Sequence, residues 1–225
     1  EIHVIRPFAI PAHRRRTVAL DYGLDMLAAL WIAVDESGRG VVYRELCSGK
    51  DGDFFNKGGA KLAGTKPLLV TEAAREIREN TPAGEKIFNR VGPPDLWNRH
   101  QDTGESTADL FAREGMPLTK ASNERAQGWM ALAEWLKIGT DEQGKPSAGL
   151  RIFENCRVLI ASLPQLQYSD RDADDCASEP HAITHAPDAL RYFVAGRPIP
   201  SGAAPKEDPF APEEDEIESF LNFGR

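Results

Sequence analysis

TVALDYG at residues 17–23, MLAALWIAVD at 26–35 and GVVYREL at 40–46 follow one another with short breaks between them. All three are apolar runs of strand length, and the turn Glu36-Ser37-Gly38-Arg39-Gly40 carries the chemistry of a hairpin joining the last two. They read as three successive strands at the start of a sheet. Asp21 stands at the end of the first, and Gly23 lets the chain turn tightly just beyond it.

Downstream the period changes. LLVTEAAREIREN (68–80) reads as a helix with Pro67 in its first turn, ended by Pro82 and Gly84. KIFNRV (86–91) reads as a strand that Gly92-Pro93-Pro94 stops just before Asp95. STADLFAREG (106–115) reads as a helix capped by Ser106 or Thr107, and MPLTKAS (116–122) as a brief strand. NERAQGWMALAEWLKI (123–138) is amphipathic, with Trp129, Leu132 and Leu136 at helical spacing. Residues 139–149 read as a polar loop. GLRIFE (149–154) reads as a hairpin strand and CRVLIASLP (156–164) as its return segment. An acidic loop (165–180) precedes a last helix, THAPDALRYFVAG (184–196). Strands first and then strands alternating with helices define an α/β fold with a mixed central sheet flanked by helices.

Composition sets the outer limits. The 225 residues suffice for one sizeable core, with 41% hydrophobic and 28% charged residues. No apolar run reaches the roughly 20 residues of a membrane span. The opening EIHVIRPFAIP lacks a signal segment and reads as the interior of a longer protein. Cys47, Cys156 and Cys176 are an odd set without paired spacing, expected as free thiols in a reducing compartment. Cys176 and His181 lack the second pair that a zinc site requires.

Of the formal net charge of −8, the C-terminal stretch from Ser201 carries −5: seven acidic residues against Lys206 and Arg225. The remaining body is near neutral and can hold a basic groove. Residues 1–197 are expected as one domain, and residues 198–225 as an acidic, Pro-rich, disordered tail. Within that tail IESFLNF (217–223) is an apolar patch at helical spacing, expected to dock on a partner.

The chemistry lies in three aspartates at element ends: Asp21, Asp95 and Asp188. Hard divalent cations take oxygen ligands. Two ions about 4 Å apart clamp the attacking and leaving oxygens of a phosphate diester. His185 stands three residues before Asp188, which on a helix puts both on one face. Placed near the metals, it would bind the second ion, shuttle a proton or orient water. His181, one turn earlier, is its rival, and Asp174 or Glu179 would be an extra ligand. Arg14, Arg15, Arg16, Arg99, Lys120 and Arg125 are candidate phosphate contacts. Trp97, Trp129 and Trp135 read as core.

The ordered series ALDYG, GPPDLWN, STADLFAREGMPLTKASNERAQGWMALAEWL, LPQLQYSDRDADD and HAITHAPDALRY resembles the C-terminal nuclease domain of the large terminase subunit of tailed bacteriophages, over about residues 5–197. The resemblance implies an RNase H-like fold and cleavage of double-stranded DNA during genome packaging with two Mg²⁺ or Mn²⁺ ions. It implies Asp21 as the first-strand ligand, Asp95 as the second-strand ligand and Asp188 as the helix ligand, with His185 beside the metals. It further implies work in the host cytoplasm alongside the capsid portal and the small terminase subunit. The motor of that family is expected elsewhere: GGAKLAGTK (58–66) imitates a phosphate loop, but Thr65-Lys66 reverses the required order and Pro67 follows. Two other readings compete. Asp21-Tyr22-Gly23 before a hairpin is similar to the first phosphate loop of actin-like phosphotransferases, though no second such loop is visible. A non-catalytic docking module of the packaging motor would use the same acids as structural turns.

Overall fold

Strand β3, Met26–Val34, is buried at all nine positions. A strand apolar on both faces must be covered on both, and the rest of the chain does this. The structure is a computed structural model that describes residues 2–23, 26–49, 68–141, 143–180 and 183–203. The phosphate-loop imitation at 58–66, His181 and IESFLNF lie outside the described residues.

β3 lies between β2 (Arg15–Tyr22) and β4 (Gly40–Gly49), antiparallel to both. The hairpin joining β3 to β4 is organised by Asp35. Its carboxylate accepts from Ser37 N at 2.9 Å, Ser37 Oγ at 2.7 Å and Arg39 N at 2.9 Å, while Gly38 takes φ +82°. Parallel strands extend the sheet on either side. β5 (Asn89–Gly92) pairs with β2, and β6 (Thr119–Lys120) with β5. β9 (Leu150–Phe153) pairs with β4, and β1 (Val4–Ile5) with β9. The result is a seven-stranded mixed sheet in the order β1-β9-β4-β3-β2-β5-β6.

Alternation along β2 assigns its side chains to two faces. Tyr22 lies on one face. Its hydroxyl donates to Leu68 O at 2.6 Å and its ring meets Phe111 edge-on, under helices α1 (Val70–Glu79) and α2 (Thr107–Arg113). Asp21 lies on the other face, which α5 (His185–Ala195) covers. α5 is buried from His185 to Val194 because α3 (Arg125–Leu136) packs over it in turn, with Trp135 edge-on to Phe193 at 5.6 Å. A helix enclosed by a sheet and a second helix is apolar nearly all round, as AxxALxYFV is here.

Two expectations give way. Residues 139–149, read as a polar loop, contain a separate hairpin of β7 (Ile138–Thr140) and β8 (Pro146–Ala148). Asp141 makes its turn, its carboxylate accepting from Gln143 N at 3.0 Å and Lys145 N at 2.8 Å. The return segment CRVLIASLP is helical: α4 spans Arg157–Ser162. Its start lacks a local cap, and Glu45 of β4 supplies one. Oε1 of Glu45 accepts from Val158 N at 2.8 Å and Oε2 from Leu159 N at 3.0 Å.

Beyond Arg197 the described residues make contacts with the sheet. Ser201 is buried, its hydroxyl donating to Val34 O at 2.6 Å and accepting from Arg15 N at 2.7 Å. Its own N–H donates to Asp35 O at 3.1 Å.

Candidate active site

β2 and β5 run parallel, so their C-terminal ends open on the same edge of the sheet. Asp21 is the penultimate residue of β2. Asp95 follows β5 in a single 3-10 turn, Pro94–Trp97, where Pro93 and Pro94 stiffen the approach and Leu96 anchors the turn in the core. The two aspartates line one polar cleft, together with Asn98, Lys120, Asn123, Arg125, Arg191 and Tyr192. Adjacent parallel strand ends are where α/β sheets assemble sites.

The helix α5 carries the other two residues, which are buried beside the cleft and not among its lining. His185 begins it and is buried. Its Nδ1 lies 2.5 Å from Asp21 Oδ2, within hydrogen-bonding distance. Asp188, one turn on, is also buried. Burial raises its carboxyl above the usual range; Arg191 opposes this, and the nearby charge of Asp21 adds to it. Tyr192 registers the whole cluster. Its hydroxyl is pushed up by burial first, then by the charges of Asp21 and Asp188, with Arg191 opposing and Asp95 adding.

Asp188 is held by cations. Arg191 Nε and Nη2 each lie 2.8 Å from its Oδ1, and Arg125 Nη1 lies 3.5 Å from the same atom. Arg125 also reaches the acidic loop, its Nε 2.8 Å from Asp175 Oδ2, and Trp129 Nε1 donates to Asp175 Oδ1 at 2.8 Å. Burial raises the Asp175 carboxyl, but Arg125 and the N–H donors outweigh it and leave it below the usual range.

Arg191 and Asp175 are not singled out by the sequence reading. Asp175 is one of several acids in its loop, and Arg191 would ordinarily be a solvated helix charge. A hint lay in DALRY: an arginine three residues after an aspartate shares its helix face. Among the basic candidates, Lys120 and Arg125 line the cleft. Arg16 is spent on the carbonyls of Ile10, Pro11 and Ala12, and Arg99 on that of Gly104. Arg15 lies over the Phe88 ring at 4.9 Å. Trp97, Trp129 and Trp135 are partly buried against the core.

The donor chemistry of the cleft suits a hard divalent cation, being carboxylate oxygen rather than thiolate. Among the described residues no three His, Cys, Asp or Glu side chains are gathered closely enough to enclose an ion. Mg²⁺ commonly takes one or two carboxylates and fills its remaining positions with water and substrate phosphate, so an open pair such as Asp21 and Asp95 fits it.

A seven-stranded mixed sheet with helices on both faces and acids at the ends of its inner strands is an RNase H-like architecture. It is the fold of phage large terminase nuclease domains. The g2p nuclease domain of bacteriophage SPP1, solved with bound Mn, superposes with a TM-score of 0.50 at 14% identity, covering 85% of this chain and 93% of that one. The large terminase nuclease of thermophilic phage G20c superposes with a TM-score of 0.52 at 10% identity, with the same coverage of both chains. No protein-family model matches the sequence, and neither does any curated protein.

Proposed function

We propose that this chain is a divalent-metal-dependent endonuclease that cuts double-stranded DNA during phage genome packaging. The observation that supports this most directly is the pairing of Asp21 and Asp95 across one cleft at neighbouring parallel strand ends, beside Lys120 and Arg125. The fold shared with terminase nuclease domains, one of them solved with Mn, agrees with it.

In this reading Asp21, Asp95 and Asp188 supply the oxygens that hold Mg²⁺ or Mn²⁺, two ions in the working state. Bound cations of this kind neutralise a phosphate diester and lower the pKa of an attacking water. His185, fixed by Asp21, stands beside the reacting centre to orient water or carry its proton. Lys120 and Arg125 meet the phosphates on the cleft wall. Contacts confined to the backbone give little sequence preference. The setting is the host cytoplasm, with the capsid portal and small terminase subunit as partners; no helix among the described residues is long and apolar enough to cross a membrane.

The test is incubation of supercoiled plasmid with the protein in Mg²⁺, Mn²⁺ and EDTA. Nicking and linearisation in either metal, abolished by EDTA, are expected. Absence of both cleavage and Mn²⁺ binding would turn the assignment toward a non-catalytic docking module.

A further inference from the structure

Arg191 is among the largest fully buried side chains of the described residues, at 1% exposure. Its guanidinium lies over two aromatic rings, 4.4 Å from the Tyr192 centroid and 5.3 Å from that of Trp129. Two of its nitrogens converge on Oδ1 of Asp188, while the third, Nη1, is buried without an acceptor among the described residues. A buried ion pair is a poor device for stability alone, since apolar residues of the same volume serve as well or better.

Helix α3 is built around this side chain. Gly128 lies in its interior, where glycine is the poorest helix former after proline. A Cβ at position 128 would stand 2.7 Å from Cγ of Arg191 and 3.1 Å from its Cδ. Those atoms belong to the buried stem, with stacked rings and a bonded fork beyond them, so the stem has no easy way to yield.

We propose that Arg191 is the positioning residue for the Asp188 carboxylate, and that Gly128 is the clearance in α3 that admits it. Both nitrogens engage Oδ1 and hold that oxygen on the Arg191 side, so the other oxygen would be the one left to a metal ion. Without the fork a short side chain at the head of a helix turns away or repairs with Arg125, and the acidic site loses its third member. This rests on the reading of Asp188 as a metal ligand.

The experiment measures Mn²⁺ affinity of the full chain by calorimetry and by the loss of the free-ion paramagnetic resonance signal, with thermal melts alongside. Arg191→Lys keeps the charge and loses the fork; it should weaken Mn²⁺ binding roughly 10–100-fold, the range for residues that orient metal ligands. Gly128→Ala should weaken it comparably. In an Asp188→Asn background neither change should weaken binding further, because the carboxylate they serve is gone. The melting cost of Gly128→Ala should vanish in an Arg191→Ala background, which keeps the test readable if Gly128→Ala alone folds poorly. Unchanged or tighter Mn²⁺ binding in Arg191→Lys, with Asp188→Asn impaired, would overturn the positioning role and leave the nuclease reading intact. Unchanged binding in Asp188→Asn itself would overturn the reading of Asp188 as a ligand, and the positioning role with it, while the nuclease reading would still rest on Asp21 and Asp95.

Discussion

Nδ1 of His185 sits 2.5 Å from Oδ2 of Asp21, across 164 residues of sequence. The bond ties the first turn of α5, the helix that carries Asp188 and Arg191, to the end of β2. Asp21→Asn should abolish metal-dependent nicking, because an amide keeps the shape and loses the charge that attracts a cation. His185→Ala should reduce nicking by roughly 10–100-fold, as expected for a residue that orients a ligand. Gel quantification of plasmid turnover distinguishes them, with circular dichroism showing whether each variant is folded. A fully active Asp21→Asn protein would refute the mechanism.

Asp95 is exposed, and its carboxylate projects from a turn held by Leu96 and the two prolines. Asp95→Asn should therefore leave the melting temperature unchanged while eliminating cleavage. A drop of several degrees would mean that the residue serves the turn and not the chemistry.

Glu45 should matter to folding alone. Glu45→Ala strips the acceptors from Val158 N and Leu159 N, a loss of about 1–3 kcal/mol for buried donors left unpaired. Glu45→Gln retains one oxygen and should cost less. Urea denaturation of the two variants gives the comparison, and equal stabilities would show that α4 finds its cap elsewhere.

Stability should fall on the acid side through Glu85. Burial raises this carboxyl, but hydrogen bonds from Arg44 and Tyr43, with the Arg44 and Arg16 charges, outweigh it and hold the group below its ordinary range. A carboxyl depressed in the folded state contributes stability that is complete above its unfolded value, about 4.3, and lost as pH falls through the folded one. Asp35 is depressed likewise: burial opposes, and Ser37 and Arg39 prevail. Urea midpoints between pH 3 and 7 should therefore fall less steeply with acid in Glu85→Gln than in the wild type. Parallel curves would exclude Glu85 as a source of the acid loss.

The C-terminal boundary can be tested by truncation. Ending the chain after Pro198 removes Ser201 and leaves Arg15 N and the carbonyls of Val34 and Asp35 without this partner. That protein should melt lower than one ending after Ala203, while the Ala203 truncation should match the full chain in melting and nicking. Equal melting of the two truncations would show that Ser201 contributes nothing measurable.

Strands β2, β3 and β4 and the helices around Ala73, Leu132 and Leu190 were legible in the sequence. Each depends on neighbours along the chain: apolar runs, period and turn residues act within about a dozen positions. So did the places of Asp21, Asp95 and Asp188 at element ends. What tertiary structure alone decided depends on residues far apart in sequence. CRVLIAS is apolar enough for a strand or a buried helix, and an acceptor from Glu45, more than a hundred positions away, caps it as a helix. Arg191 is an ordinary helical charge until α3 covers it, and Gly128 is a helix defect until the stem of Arg191 fills the space beside it. The sharing of one cleft by Asp21 and Asp95 follows from parallel pairing of β2 with β5, a register set by packing between segments some seventy residues apart and carried by no local pattern in either strand.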